Sequence, residues 1–349
     1  MHQRMPFEDD VLEASAPCRI DMGGTLDLST FYLPLRHFNP CTLNIALDMR
    51  TRVRLSAFDA GKIKVSSRGF DDLAVEAETA PFNHPLGLML AVARYFGADG
   101  VHIDIHSASP PRSALGGSSV AAVALIWAFF KAMHKIGHAM PERGSVALLA
   151  HAIEQSVAGV PCGMQDQLAA VFGGVHVWHW QSDPGQVPYS RQPIPSEEAA
   201  DRPSMNRCLL VAYCGVPHVS KDINGTWVRQ FVAGHSRRQW QAIVECSHRF
   251  AKAVLAGDLR RAVAQMNRET EIRCELTPEV LDEMGGRLVA AARDQGCGAR
   301  FTGAGGGGCV WAFGPPDHID RLRPMWADSL DQHPDAKLLD TRIDTVGLL

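Results

Sequence analysis

Apolar residues alternate in some stretches of this chain and recur at helical spacing in others, and the change of period marks out its elements. In Val101-His-Ile-Asp-Ile-His106 the apolar residues Val101, Ile103 and Ile105 fall on one face, as in a half-buried strand. The Ala-rich run Val120–Phe130 that follows predicts a buried helix over about 118–133. Earlier, Ala16–Leu28 reads as a short strand entering a glycine turn, with Arg19 and Asp21 on one face and Asp27 just past the turn. Thr51, Val53 and Leu55 alternate with Arg50, Arg52 and Arg54, which predicts a strand over 44–55. Leu86–Phe96 reads as an amphipathic helix ended by Gly97. Ser145–Ala158 is a second helix, with Val146, Leu149, Ala150, Ile153 and Val157 in one stripe and Glu154 at its border. Pro161 and Gly163 break it. Met164–Phe172 begins another helix, stopped by Gly173-Gly174, and Val175–Trp180 is a strand.

Residues 1–14 are acidic and expected to fray. Residues 181–205 are rich in Pro, Ser and Glu, and the domain boundary is placed there, giving domains of 1–200 and 201–349. Beyond it the pattern predicts a strand at Arg207–Tyr213 and helices at about 232–256, 258–273 and 278–294. A strand, a glycine turn and a strand follow over 299–313, then a helix at Pro316–Leu330 and a last strand at Lys337–Val346. The second half is therefore helices packed on a small, mostly antiparallel sheet.

The order strand, Gly/Ser loop, helix around Pro110–Ala122 places unpaired backbone N–H groups at a helix N-terminus beside Ser118 and Ser119. Such a place attracts anions, because the donors point outward and the helix dipole adds positive potential. Gly116 and Gly117 lack a Cβ, so a phosphate chain can come close to the backbone. An ordinary serine-capped loop has the same local pattern. Asp166 falls in a first helical turn, where the dipole favours a carboxylate whether or not it has any further task. The arginine row 50, 52, 54 suits either a solvated face or an anionic substrate.

Composition narrows the field. The chain has 349 residues, enough for two cores, and a net charge of −4 with no Lys/Arg run, which gives no footprint for nucleic acid. The N-terminus lacks the apolar segment of a signal peptide, and Val120–Phe130 is too short to span a bilayer. Nine scattered cysteines with no Cys-x-x-Cys argue for reduced thiols, hence a cytoplasmic protein, and against a spaced zinc motif. His102/His106 and His176/His179 alternate with apolar residues and read as outer-face strand positions, not ligands. Gly303-Ala-Gly-Gly-Gly-Gly308 matches G-x-G-x-x-G formally, but Cys309–Phe313 after it reads as a strand, so the dinucleotide reading fails on context. So much glycine makes sense where backbone must approach a ligand or another loop. There is no Walker A sequence and no protein-kinase signature.

Three stretches together resemble the GHMP kinases, the family of galactokinase, homoserine kinase, mevalonate kinase and phosphomevalonate kinase. They are Pro17-Cys-Arg-Ile-Asp-Met-Gly-Gly-Thr-Leu-Asp27, Pro111-Arg-Ser-Ala-Leu-Gly-Gly-Ser-Ser119 and Phe301-Thr-Gly-Ala-Gly-Gly-Gly-Gly-Cys309, in the family order. The second is similar to the family's phosphate loop, with Ala114 in place of its first Gly. The resemblance implies an α+β fold of two domains, an N-terminal ribosomal S5-like α/β domain and a C-terminal ferredoxin-like α+β domain. It implies ATP and Mg²⁺ as cofactors and a cytoplasmic enzyme of carbohydrate metabolism. Gly159-Val-Pro-Cys-Gly-Met-Gln-Asp-Gln167 looks like the galactokinase and heptose-phosphate kinase form of the catalytic segment, implying phosphorylation of the anomeric hydroxyl of a sugar or sugar phosphate.

Roles carried over by the resemblance are catalytic: Asp166 would accept the hydroxyl proton or orient that oxygen, and Arg19 would stabilise the charged neighbourhood of the nucleophile and the γ-phosphate. Pro111, Ser113, Leu115, Gly116, Gly117, Ser118 and Ser119 would bind ATP, and Ser119 and Glu154 would hold the metal. Asp27, Gly163, Gly303, Ala304 and Gly305 would line the substrate. Galactokinases carry Gly-Glu-His-Thr-Asp where this chain has Gly23-Gly-Thr-Leu-Asp27, which speaks against galactose and nearer to heptose-phosphate or fucose kinases. A heptose phosphate would need a basic pocket, with Arg36, Arg50 or Lys221 as candidates. The alternatives are a sugar- and ATP-binding regulatory relative without activity, and a kinase for a non-sugar alcohol.

Overall fold

The structure, a computed structural model, describes residues 11–349 apart from 160, 184, 200–202 and 218–222. The first half contains β1 (Leu12–Met22), α1 (Ser29–Tyr32), β2 (Cys41–Ala57), β3 (Lys62–Ser67), β4 (Leu73–Glu76), α2 (Gly87–Tyr95), β5 (Val101–Ser107), α3 (Gly117–Lys135), α4 (Arg143–Val157), α5 (Gln165–Phe172), β6 (Val175–Trp180) and β7 (Tyr189–Pro193). The second contains β8 (Leu209–Tyr213), α6 (Ile223–Val232), α7 (Arg237–Leu255), α8 (Leu259–Leu276), α9 (Glu283–Asp294), β9 (Gly298–Phe301), β10 (Cys309–Phe313), α10 (Pro316–Leu330) and β11 (Lys337–Leu338). The fold is α+β in two domains, one on each sheet.

β2 is the spine of the first domain. One edge pairs with β1 from Leu43 to Leu55; the other is shared, Cys41–Ile45 with β6 and Thr51–Ala57 with β5. β3 adds parallel to β5, and β4 and β7 complete a seven-stranded sheet. α3 lies against β1 and β2 and is flanked by α2, α4 and α5. It is the one helix among the described residues long and apolar enough to cross a membrane, and its burial in this core accounts for that composition.

The second sheet runs β11-β8-β10-β9, antiparallel throughout. Strand alternation gives it two apolar faces. Leu210, Ala212, Val310 and Ala312 pack on α9 and α10 through Leu288, Ile319 and Trp326. Val211, Tyr213, Trp311 and Phe313 face the other way, into a buried cluster continuous with the core of the first domain.

Several elements differ from the sequence expectation. β1 begins at Leu12, with Leu12 and Ala14 buried, so fraying does not reach residue 14; residues 1–10 lie outside the described part. The helix expected over 232–256 is α7, which starts only at Arg237; the chain turns at Gly234, and α6 before it, ending at Val232, is a helix the pattern does not predict. Pro278–Val280 forms a 3-10 turn, and α9 starts at Glu283 because the Asp282 side chain caps it, accepting from Gly285 N at 2.6 Å. The last strand is only Lys337–Leu338. Beyond it the Asp48 carboxylate takes the Thr341 hydroxyl and the Arg342 N–H and draws the chain back over the first domain. There Leu349 and Ser15 exchange backbone hydrogen bonds of 2.9 and 3.0 Å. Arg50 is absorbed by this tail: it pairs with Asp344 and donates to the carbonyls of Ser15 and Gly347. Arg52 and Arg54 pair with Glu13 at the surface.

Candidate active site

The loop before α3 holds three alternate residues in the left-handed region, Arg112 (φ 54°), Ala114 (φ 60°) and Gly116 (φ 82°). Gly116 occupies the N-cap of α3 with no side-chain cap, and a Cβ on Gly117 would meet open space. The first N–H groups of a 19-residue helix are thus left for a ligand. Ser118 is exposed at the rim; Ser119 is buried and donates to Glu154 Oε1 at 3.0 Å from α4.

Asp166 stands in the first turn of α5, directly under this loop: a Cβ on Gly116 would lie 3.0 Å from its Cγ. Arg19 from β1 joins the two. Its Nε donates to Asp166 Oδ1 at 2.7 Å and its Nη1 to the Ala114 carbonyl at 2.9 Å, while the Arg19 backbone N–H reaches the Leu115 carbonyl at 3.3 Å. Burial would lower the Arg19 guanidinium, but Asp166 and Asp21 outweigh it and hold it above its ordinary value.

Asp27, buried in the turn after β1, accepts from Gln165 N at 3.1 Å. Gly163 lies so close that a Cβ there would fall 1.7 Å from Asp27 Oδ2, so glycine is required by contact. Desolvation, together with the nearby Asp166 charge, pushes the Asp27 carboxyl up to about 7. Glu154 is pushed to about 7 for the same two reasons, although Ser119 and the Gln167 amide, at 2.6 Å, both donate to it. A nearly buried carboxylate, with a hydroxyl and a second carboxylate near it and no cation paired to it among the described residues, fits a Mg²⁺ ion, which favours hard oxygen ligands.

Gly303 donates its N–H to Asp21 Oδ1 at 2.8 Å and abuts Ala114 and Arg19. The rest of its loop packs on protein. Gly308 sits against Ser113 and Ala114, where a Cβ would lie 2.7 Å from the Ser113 carbonyl, and Cys309 N donates to that carbonyl at 3.0 Å. Gly305 presses on the Val280 carbonyl, and Ala304 packs on the core. The structure therefore gathers Arg19, Leu115, Gly116, Ser119, Glu154, Asp166, Asp27, Gly163 and Gly303, and leaves Ala304 and Gly305 in the support. Of the basic candidates, Arg36 sits in a short 3-10 turn, Arg50 is held by the tail, and Lys221 lies outside the described residues.

Two features escaped the sequence. A cleft of about 530 Å³ is lined by Gly69, Phe70, Asp71, Asp72, Leu73, His84 and Pro85, and Gly69 abuts Pro111 of the loop. Beneath the site runs a fully buried ionic chain. Asp21 pairs with Arg300 (2.7 Å), Arg300 with Glu269 (2.9 Å) and Glu269 with Arg273 (2.8 Å), and Arg273 stacks on Trp227 and Trp240 and donates to the Gly24 carbonyl. Burial alone would raise both carboxyls, yet Arg300, with Arg19 at Asp21 and Arg273 at Glu269, holds them below their ordinary values. The only sequence signal was Asp21 sharing a face with Arg19.

Residues 83–174 match the family model for the GHMP kinases N terminal domain, and residues 250–332 that for GHMP kinases C terminal. The chain belongs to the GHMP kinase family. Like its members it is an ATP-dependent phosphotransferase. This GHMP kinase is 25% identical over 303 residues to a mevalonate kinase from Pyrococcus abyssi, covering 77% of this chain and 81% of that one. Its fold is similar to a Lactococcus lactis galactokinase solved with galactose (TM-score 0.70, 17% identity, 98% and 95% of the two chains). It is equally similar to a D-glycero-D-manno-heptose 1-phosphate kinase from Bacteriodes thetaiotaomicron (TM-score 0.70, 15% identity, 97% and 98%).

Proposed function

We propose that this kinase transfers the γ-phosphate of ATP to a hydroxyl of a sugar or sugar phosphate, with the anomeric hydroxyl as acceptor. The observation that carries this reading is the pair Asp27 and Asp166, two carboxylates facing one another's field beside the Gly116–Ser119 cradle. Carboxylates accept hydrogen bonds from hydroxyls and repel a substrate carboxylate. The segment Gly159–Gln167, which resembles the galactokinase and heptose-phosphate kinase form, supports the same substrate class.

In this reading the N–H groups opening α3 receive the phosphates, and the cleft beside Pro111 takes the base. Ser119 and Glu154 would hold Mg²⁺, which when bound would neutralise charge on the phosphates. Asp166 orients the acceptor hydroxyl and takes its proton as the bond to phosphorus forms. Arg19 fixes Asp166 through two nitrogens, at 2.7 and 2.6 Å, and ties it to the loop. Asp27 accepts from a second substrate hydroxyl. Phosphoryl transfer gains chiefly from such alignment. A second reading, a non-sugar alcohol as acceptor, is favoured by the likeness to mevalonate kinases.

The test is ADP release with ATP, Mg²⁺ and a panel of hexoses, fucose, heptose 7-phosphate and mevalonate. Turnover of a sugar and not of mevalonate is expected; the reverse overturns the reading. Asp166→Asn is expected to lower kcat at least about 10³-fold while ATP still binds. Undiminished kcat removes Asp166 from the role.

A further inference from the structure

Cys41 opens β2, and its cross-strand partner in β6 is His179. Directly opposed residues of antiparallel strands project to the same side. His248 reaches that side from α7, which packs on β2 from the second domain. The Cys41 sulfur and one ring nitrogen of each histidine all lie within 4.8 Å of one another. A second observation concerns the Nε2 atom of each ring. His179 Nε2 is 3.2 Å from Gln192 Oε1, and His248 Nε2 meets the backbone carbonyls of Asn39 and Phe38. Carbonyl oxygens only accept, so a hydrogen on each Nε2 satisfies these contacts and leaves each Nδ1 a lone pair to offer a metal. Imidazoles that ligate metals are pinned in this way by an outer carbonyl.

We propose that Cys41, His179 and His248 form a site for a divalent transition-metal ion of zinc type. One sulfur and two nitrogens suit such an ion, and the two half-buried histidines leave its fourth position to water. On binding, the sulfur–hydrogen bond is replaced by a metal–sulfur bond and one proton leaves to solvent. The ion joins β2 and β6 of one domain to α7 of the other. It lies behind the turn that carries Asp27: a Cβ on Gly23 would fall 2.9 Å from the Cys41 carbonyl and 2.4 Å from Ser247 Oγ, and Thr42 donates to the Gly23 carbonyl. Its task is therefore to hold the two domains together behind the substrate turn. No spacing motif announces it, because its ligands are 138 and 69 residues apart in sequence, 179 − 41 and 248 − 179.

Titration of the full-length, metal-stripped protein with Co²⁺ tests the site. One equivalent is expected to bind with a sulfur-to-cobalt charge-transfer band and tetrahedral visible bands, displaced by Zn²⁺. Cys41→Ser is expected to abolish the charge-transfer band. His248→Gln, at a half-exposed position, is expected to weaken binding roughly 100-fold, and Gln192→Leu about tenfold. No band in the parent protein overturns the proposal. So does a band that survives Cys41→Ser, which assigns it to another of the nine cysteines, or an unchanged affinity in His248→Gln. None of these readouts depends on which alcohol is phosphorylated.

Discussion

Asp21 and Glu269 form one pair of buried carboxylates, Asp27 and Glu154 another, and their surroundings are opposite. The first pair is matched by Arg300, Arg273 and Arg19, and its carboxyls are held low. The second pair has hydroxyl, amide and backbone N–H donors but no directly paired cation among the described residues, and both carboxyls rise to about 7. Charge that is balanced inside the protein supports the fold. Charge left unbalanced next to an open helix N-terminus is held ready for ligands that bring hydroxyls, a cation or both.

Breaking the first pair should cost most. Arg300→Met leaves Asp21 with Arg19 alone and Glu269 with Arg273 alone, one positive charge short at the centre of the ionic chain, and is expected to destabilise by about 3–5 kcal/mol, read as a lower denaturant midpoint. The second pair should respond the other way. Glu154→Gln is expected to stabilise the nucleotide-free protein at pH 8 by on the order of 2–3 kcal/mol while lowering turnover; a loss of stability would place Glu154 in the balanced class. Titration sharpens the contrast. Asp27 and Glu154 have folded values above their unfolded ones, so the folded state binds the extra protons between about pH 4 and pH 7. Their penalty is absent below that window and complete above it. Thermal unfolding without nucleotide should therefore come at a higher Tm at pH 5.5 than at pH 8, with part of the difference recovered by Mg²⁺ at pH 8. Asp21 and Glu269 act in the opposite sense and lose their contribution only below the ordinary carboxylate range. The smallest effect is expected at Ala114. Relief of its left-handed backbone by Ala114→Gly is largely offset by glycine's entropy, for a gain of no more than about 1 kcal/mol.

Local pattern carried much of this into the sequence. The strand, loop and helix around Gly116 were legible because alternation, glycine and an apolar run follow one another directly, and Asp166 because breakers bracket its helix. The five glycines of 303–308 suggested close approach, and most of them approach the loop at Ser113 and neighbouring carbonyls. What could not be read depends on distant partners. α6 contains Gly225, Thr226 and Val228, poor helix formers, and is kept by burial of Trp227 against Arg273 and Trp240. Arg300, Glu269 and Arg273 look like surface charges on a short strand and an amphipathic helix. Only the packing of two domains puts them at the centre. Lys337–Val346 has strand composition, but Asp48, in another domain, turns it away.

The returning tail has a consequence for how the molecule is made. Residues 344–349 close against Ser15, Arg50, Val171 and Gly174, so the first sheet gains these partners only once a segment from beyond the second sheet has been made. Until then the edge of β1 at Ser15 and the guanidinium of Arg50 lack these partners, and the N-terminal domain presents an unfinished seam.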